Sequence, residues 1–274
     1  MNPRFQSAKR TYNSIRWKFT KPSFRLAKTD TPRLFKKHVF ICGIHRSGTT
    51  MLENIISDVF DVSVLRANVP ENEGQHMQNI YPPDNKYGGP GRFAFSPYMH
   101  PSAISDSEGE ETQYRIMSYW TPHVVGHSDV LLEKSPPNIT MIPWLRSVFP
   151  NSYFIVLSRD PRVVTMSTQK WAKISTPELL LHWHTAYDSA YLSMNSNCIH
   201  IKYQDLCENT EHELRRIETW AGLSRRVSSS VNKRYSKIKS NDNNYLEFFP
   251  DIQLGRGAWD LFGYDISSRN ARQV

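Results

Sequence analysis

At 274 residues the chain has room for one large α/β domain or two small ones, and its 39% apolar and 12% aromatic content is that of a packed globular protein. No apolar run reaches the roughly 18–20 residues needed to span a bilayer, and the charged N-terminus lacks an apolar leader. The formal charge of +8 is unevenly spread: residues 1–37 hold eleven Lys/Arg against one acid, a net +10, while the other 237 residues hold 23 basic against 25 acidic groups, a net −2. A basic arm on a nearly neutral body argues against a specific nucleic-acid enzyme, which would carry its positive charge on the folded surface.

The arm, residues 1–37, is expected to be loosely ordered, with contact to an anionic membrane or polyanion, or an Arg-rich, acid-poor organellar transit peptide, as the sharper readings. Cys42, Cys198 and Cys207 form no C-x-x-C pair and are odd in number, which points to a reducing, cytoplasmic compartment without structural zinc. The rest, residues 38–274, reads as a single domain.

"HVFIC" (38–42) has the pattern of a buried parallel strand. It runs into Gly43, and "TTMLENIISDVF" (49–60) follows with Met51, Leu52, Ile55, Ile56 and Val59 at helical spacing. Residues 81–110 are rich in Pro, Gly, Ser and aromatics without a period, and are expected to form a long irregular loop on the acceptor side. Helical pattern over 111–125 leads to a strand at 129–134, then to a proline-started helix in 136–149 that Pro143 must interrupt. Strands at 152–158 and 198–203 and helices at 160–171, 176–194 and 208–223 complete the sequence of elements, the last helix ended by Gly222. Repeated β-loop-α units predict an α/β fold with a P-loop-like central parallel sheet and helices on both faces. Ligands of such sheets lie at the carboxyl ends of the strands.

The loop "GIHRSGTT" (43–50) sits between the first strand and the first helix. Gly43 and Gly48 match the glycines of a G-x-x-x-x-G-K-[ST] phosphate loop, and Thr50 its hydroxyl, but Thr49 stands where the lysine belongs and Arg46 supplies a cation three residues earlier. Amides of Ser47, Gly48, Thr49 and Thr50 at a helix N-terminus can hold an anion without a metal. A second set comprises Arg159 at a strand end and Ser167 two turns into the next helix, suited to a second phosphate on the same side of the sheet.

"HRSGTT" and "SRDPRVVTMS", joined by "LEKSPPN" and followed by "IKYQDL", resemble the sulfotransferases that use 3′-phosphoadenosine 5′-phosphosulfate (PAPS), over roughly residues 38–223. The resemblance implies transfer of a sulfuryl group from PAPS to a hydroxyl or amine by in-line displacement, releasing PAP, with no metal. It places the 5′-phosphosulfate on Ser47–Thr50, the 3′-phosphate on Arg159 and Ser167, and the adenine beside Tyr203. Arg46 occupies the position of a catalytic lysine in cytosolic members and of an arginine in the tyrosylprotein sulfotransferases. Lys134 matches a lysine that would contact the transferring group. For the general base the resemblance leaves Glu71, Glu73 and His76 in "PENEGQHM", with Glu73 first and His76 second; Arg256 in "GRG" matches a loop that closes over the 3′-phosphate. His182 and His184 read as packing or surface residues.

The expected acceptor is a small molecule, glycan or lipid rather than a protein tyrosine, met by the aromatics Tyr81, Tyr87, Phe93, Phe95 and Tyr98. A P-loop small-molecule kinase is the alternative enzyme, though it needs a lysine at position 49. A catalytically inactive nucleotide-binding protein with a polyanion-binding arm is the alternative from another class.

Overall fold

A computed structural model of the chain describes residues 26–226, 240–250, 252 and 254–266; residues 1–25 of the expected arm lie outside them. The remainder of that arm, though mostly exposed or half-buried, is anchored to the body at several points. Thr29 N–H donates to the Ser118 carbonyl at 2.9 Å, Arg33 N–H to Thr121 Oγ1 at 2.8 Å, and Phe35 is buried. Packed structure therefore begins before the boundary expected at residue 37.

Strand β1 (Lys37–Cys42) alternates Val39 and Ile41 toward one face with Phe40 and Cys42 toward the other, all fully buried. That double-sided burial requires helices on both faces. Its parallel neighbours are β4 (Val130–Lys134), with Ile41 opposite Lys134, and β5 (Ser152–Ser158), with Cys42 opposite Val156. Beyond β4 come β2 (Ser63–Leu65), parallel, and β3 (Val124–Val125), antiparallel; beyond β5 comes β6 (Cys198–Lys202), parallel. The order is β3-β2-β4-β1-β5-β6, a mostly parallel sheet whose strand order changes direction at β1. The ends of β1, β4 and β5 thus lie side by side, and residues 43–48, 134 and 159 emerge at one crevice.

Helix α1 (Thr49–Val59) packs Leu52, Ile55, Ile56 and Val59 on Val39, Ile41, Leu132 and Ile155. On the other face Phe40, Phe154 and Val156 meet Trp120 of α2 (Asp106–Trp120), Leu145 of α3 (Ile142–Val148), and Trp183 and Tyr187 of α5 (Thr176–Ser193). Between them run α4 (Pro161–Gln169), α6 (Tyr203–Glu208) and α7 (Thr210–Ala221), the last adding Leu214 and Ile217 to the first core. Two short helices, α8 (Asn243–Leu246) and α9 (Ala258–Leu261), close the described structure.

The elements differ from the sequence pattern at ends and at short pieces. Helix α2 starts at Asp106, not 111, because Ser105 and Glu108 form a capping box. The stretch expected to be irregular contains 3₁₀ turns at Asp84–Tyr87, Phe93–Phe95 and Pro97–Met99. Pro143 sits in the first turn of α3, where its missing N–H costs nothing, and the interruption falls at Met141 after a 3₁₀ turn, Pro136–Thr140. Tyr203 begins a helix rather than ending a strand, and 208–223 divides at Asn209, whose side chain caps α7.

Candidate active site

The loop after β1 turns sharply. Arg46 has φ 70° and Gly48 φ 97°, both left-handed. An arginine there is strained by about 1 kcal/mol or more, a cost tolerated where function fixes the geometry. Gly48 is required twice over: its φ suits glycine, and a Cβ would approach the Tyr203 ring to 2.6 Å. Gly48 also opens α1 without any side-chain cap, so the first-turn amides of an eleven-residue helix stay available to an anion. Ser47, expected to lend its amide to an anion, donates that N–H to the Ile44 carbonyl at 3.2 Å. Its hydroxyl is buried against Tyr187 Oη at 3.0 Å, so its side chain faces the core rather than the crevice. Thr50 Oγ1 donates to Glu71 Oε2 at 3.4 Å.

Arg46 and the second expected clamp are adjacent. Arg46 Nε donates to Ser167 Oγ at 2.8 Å, and Arg159 Nη1 donates to the Arg46 carbonyl at 3.2 Å. The Arg159 guanidinium lies 4.0 Å from the Tyr203 ring centroid, so Tyr203 is stacked between Gly48 and Arg159. Burial pushes the Tyr203 hydroxyl up to about 12, against the opposing charge of Arg159. Trp171 adds an indole 5.8 Å from the Arg46 guanidinium.

A third group gathers at the end of β4. Lys134 is buried, with Nζ donating to the Glu71 carbonyl at 2.9 Å and to Glu73 Oε1 at 3.3 Å. Glu73 is also buried and accepts from Gln75 Nε2 at 2.6 Å; His76 Nε2 is 3.6 Å from its Oε2. Burial holds the His76 imidazole below its ordinary value, although Glu73 and Asp84 pull it upward. The turn carrying Glu73 has two consecutive left-handed residues, Glu71 (φ 49°) and Asn72 (φ 54°), so all three left-handed non-glycine residues among those described lie at this site.

The support of that turn has no signature in the sequence. Glu133 is fully buried: its Oε1 accepts from Gly74 N–H at 3.0 Å and Ser135 Oγ at 2.6 Å, and its Oε2 from Asn138 Nδ2 at 2.7 Å. Gln75 N–H donates to Ser135 Oγ at 3.1 Å, and Trp120 Nε1 to the Gly74 carbonyl at 3.0 Å. A Cβ on Gly74 would come 2.7 Å from Glu133 Oε1, so the close approach needs glycine. Burial pushes the Glu133 carboxyl up to about 7 despite these donors. His45 pairs with Asp84 at 3.1 Å and ties the loop to the irregular segment.

Arg256 is exposed and makes no hydrogen bond or ion pair among the described residues. His182 is buried, as expected, and His184 accepts the Ala258 N–H at 2.8 Å. Of the aromatics assigned to the acceptor side, Tyr81 and Phe93 are instead core residues; Tyr87 stacks on exposed Tyr98, and Phe95 is exposed. Among the described residues no group of three or more His, Cys, Asp and Glu side chains is placed to hold a metal. No helix among them is long and apolar enough to cross a membrane.

A mostly parallel sheet with a glycine-turned loop at its switch point and two neighbouring arginines defines a protein of the P-loop-like α/β class. Residues 38–226 match the sequence profile of the Sulfotransferase family, and the chain belongs to that family. It is 22% identical over 202 residues to a Caenorhabditis briggsae chain provisionally named a protein-tyrosine sulfotransferase, the match covering 69% of this chain and 66% of that relative. The fold is that of the sulfotransferase domain from the Synechococcus PCC 7002 olefin synthase, with a TM-score of 0.50 at 14% identity over 88% of this chain and 99% of the other. The sulfotransferase domain from the curacin biosynthetic pathway is alike, with a TM-score of 0.50 at 13% identity over 84% and 97%.

Proposed function

We propose that this sulfotransferase takes its sulfuryl group from PAPS and passes it to a hydroxyl or amine of a small molecule, glycan or lipid. The observation that carries the reading is the junction of the two clamps: Arg46 and Ser167 are hydrogen-bonded and Arg159 reaches the backbone of the first loop. One bisphosphorylated nucleoside can then bridge the uncapped end of α1 and Arg159, with its base beside Tyr203.

In the reaction a bond forms between the acceptor oxygen or nitrogen and sulfur as the bond from sulfur to the bridging phosphate oxygen breaks. In this reading the leaving charge develops beside Arg46, and Lys134 would neutralise the sulfuryl oxygens. The acceptor proton passes to Glu73, which lies 3.3 Å from Lys134 Nζ; such a base contributes about 10²–10⁴-fold. His76 is the second candidate for that proton. Exposed Phe95 and Tyr98, with half-buried Tyr87 stacked on Tyr98, would supply an apolar rim for the acceptor. The cytoplasmic reading rests on three free cysteines.

The test is incubation of the full chain with sulfur-labelled PAPS and a mixture of phenols, sugars and hydroxylated lipids, alongside calorimetry with PAP. Label in an acceptor together with PAP binding is expected; neither product nor PAP binding overturns the reading. PAP binding without any product, unchanged in Arg46→Ala, favours the inactive binder.

A further inference from the structure

The Arg159 guanidinium is already spent on anions and dipoles of its own chain. Its Nε and Nη2 donate to Asp242 Oδ1 at 3.0 and 2.6 Å, and Nη2 also donates to Asn241 Oδ1 at 2.6 Å. Gln204 Nε2 donates to Asp242 Oδ2 at 2.6 Å, and the Asp242 backbone N–H to Ser240 Oγ at 3.2 Å. Both Arg159 and Asp242 are buried. Three residues on, Tyr245 covers the rest of the clamp: its ring lies 4.2 Å from Lys170 Nζ. Burial would raise the Tyr245 hydroxyl, but hydrogen bonds with Ser167 and Lys170 and the charges of Lys170 and Arg46 outweigh it and hold the group below its ordinary value. The Asp242 carboxylate thus takes up donors of the arginine and of the glutamine.

A phosphate needs the same donors. Two anions cannot share one buried guanidinium without strong repulsion, since like charges a few ångströms apart in a partly dry site each disfavour the other's ionised form. We propose that Asp242 is an internal competitor for the 3′-phosphate seat, a specificity-determining residue whose carboxylate holds Arg159 until a 3′-phosphate displaces it. This rests on the donor reading above. It adds that the seat admits only an anion strong enough to evict a carboxylate, so a ligand without the 3′-phosphate leaves Asp242 in place.

The two states form a simple equilibrium. A ligand that binds only the open state loses apparent affinity by the fraction of molecules open, so a seat closed about nine-tenths of the time weakens the ligand about tenfold. The experiment measures Kd for PAP and for 5′-AMP, which lacks the 3′-phosphate, on the full chain and on Asp242→Asn and Asp242→Ala. Asparagine keeps the shape and removes the charge. The expected result is PAP tightened about tenfold in Asp242→Asn, 5′-AMP changed less than twofold, and a PAP complex of the unaltered chain in which Asp242 has left Arg159. A PAP-to-AMP ratio unchanged or reduced in the variants overturns the inference while leaving the donor reading intact. So does a PAP complex with Asp242 still on Arg159, a readout that needs no variant to fold. Absence of PAP binding by the unaltered chain and both variants alike removes the donor reading, and this inference with it.

Discussion

Arg46 is held on Ser167 and Glu73 on Lys134, and the two should fail differently when altered. Arg46 would oppose charge that appears only as the nucleotide leaves, so Arg46→Ala is expected to lower turnover by about 10²–10³, roughly 3–4 kcal/mol. PAP affinity should fall much less, since the amides of α1, Arg159 and Ser167 remain. Steady-state turnover paired with PAP calorimetry checks this. Glu73→Gln should lower turnover by about 10²–10⁴ with PAP affinity unchanged. It also leaves the buried Lys134 ammonium without a carboxylate, and breaking one partner of a buried pair costs about 3–5 kcal/mol, so a lower Tm is expected as well. Loss of melting temperature without loss of turnover, measured well below the melt, would remove Glu73 from the chemistry.

At the scale of elements the site depends on two turns held in costly conformations. The loop into α1 relies on Gly48, where φ is 97° and the Tyr203 ring fills the space of a Cβ. Gly48→Ala should cost about 1–2 kcal/mol for the left-handed backbone, with the ring contact added to it, and weaken PAP by more than tenfold. Thermal melting and calorimetry on the same sample test both; PAP binding preserved in a folded Gly48→Ala would detach this loop from the nucleotide. The turn 71–73 is held instead by side chains. Asn72 Oδ1 accepts the Ala67 N–H at 3.0 Å, and Glu133, Ser135 and Trp120 fix Gly74 and Gln75. Such scaffolding places a carboxylate against Lys134 without a regular element beneath it.

For the molecule as a whole, burial of neutral imidazoles sets the response to acid. Burial lowers His38 and His182 from 6.5 to about 3, and burial with the charges of Lys202 and Arg216 lowers His200 to about 4. Between these values and 6.5 the unfolded chain binds protons that the native protein refuses, so stability is full above pH 6.5 and is lost as pH falls. Glu133 acts in the opposite sense. Its folded value of about 7 exceeds the ordinary 4.5, so between them the native protein holds a proton that the unfolded chain lacks. From these four groups alone, the net uptake on unfolding across roughly pH 5–6 is about two protons, a slope on the order of 2 kcal/mol per pH unit, and burial of His76 and His123 adds in the same direction. Tm measured from pH 8 to pH 4.5 should therefore fall on the acid side. Glu133→Gln should steepen the fall, because the one opposing proton is gone. A flat profile would mean that these imidazoles take up protons in the folded state.

The sequence by itself determined what local pattern can encode. The continuous apolar run of 38–42, the paired glycines of 43–48, the Arg159–Ser167 spacing and the helical period of 49–60 are short-range signals; the run and the period located the first strand and helix, and the glycines and the spacing named the residues proposed to hold the nucleotide. Tertiary structure decided what depends on residues distant in the chain. Asp242 reaches Arg159 across 83 positions, and Tyr187 turns the Ser47 hydroxyl inward across 140. Strands of two and three residues have no period to read, so β2 exists only because β4 offers an edge to pair with, and β3 because β2 offers the next. The burial that lifts Glu133 and seats Glu73 on Lys134 is likewise a property of packed neighbours, since desolvation has no meaning until the other elements have closed over the group.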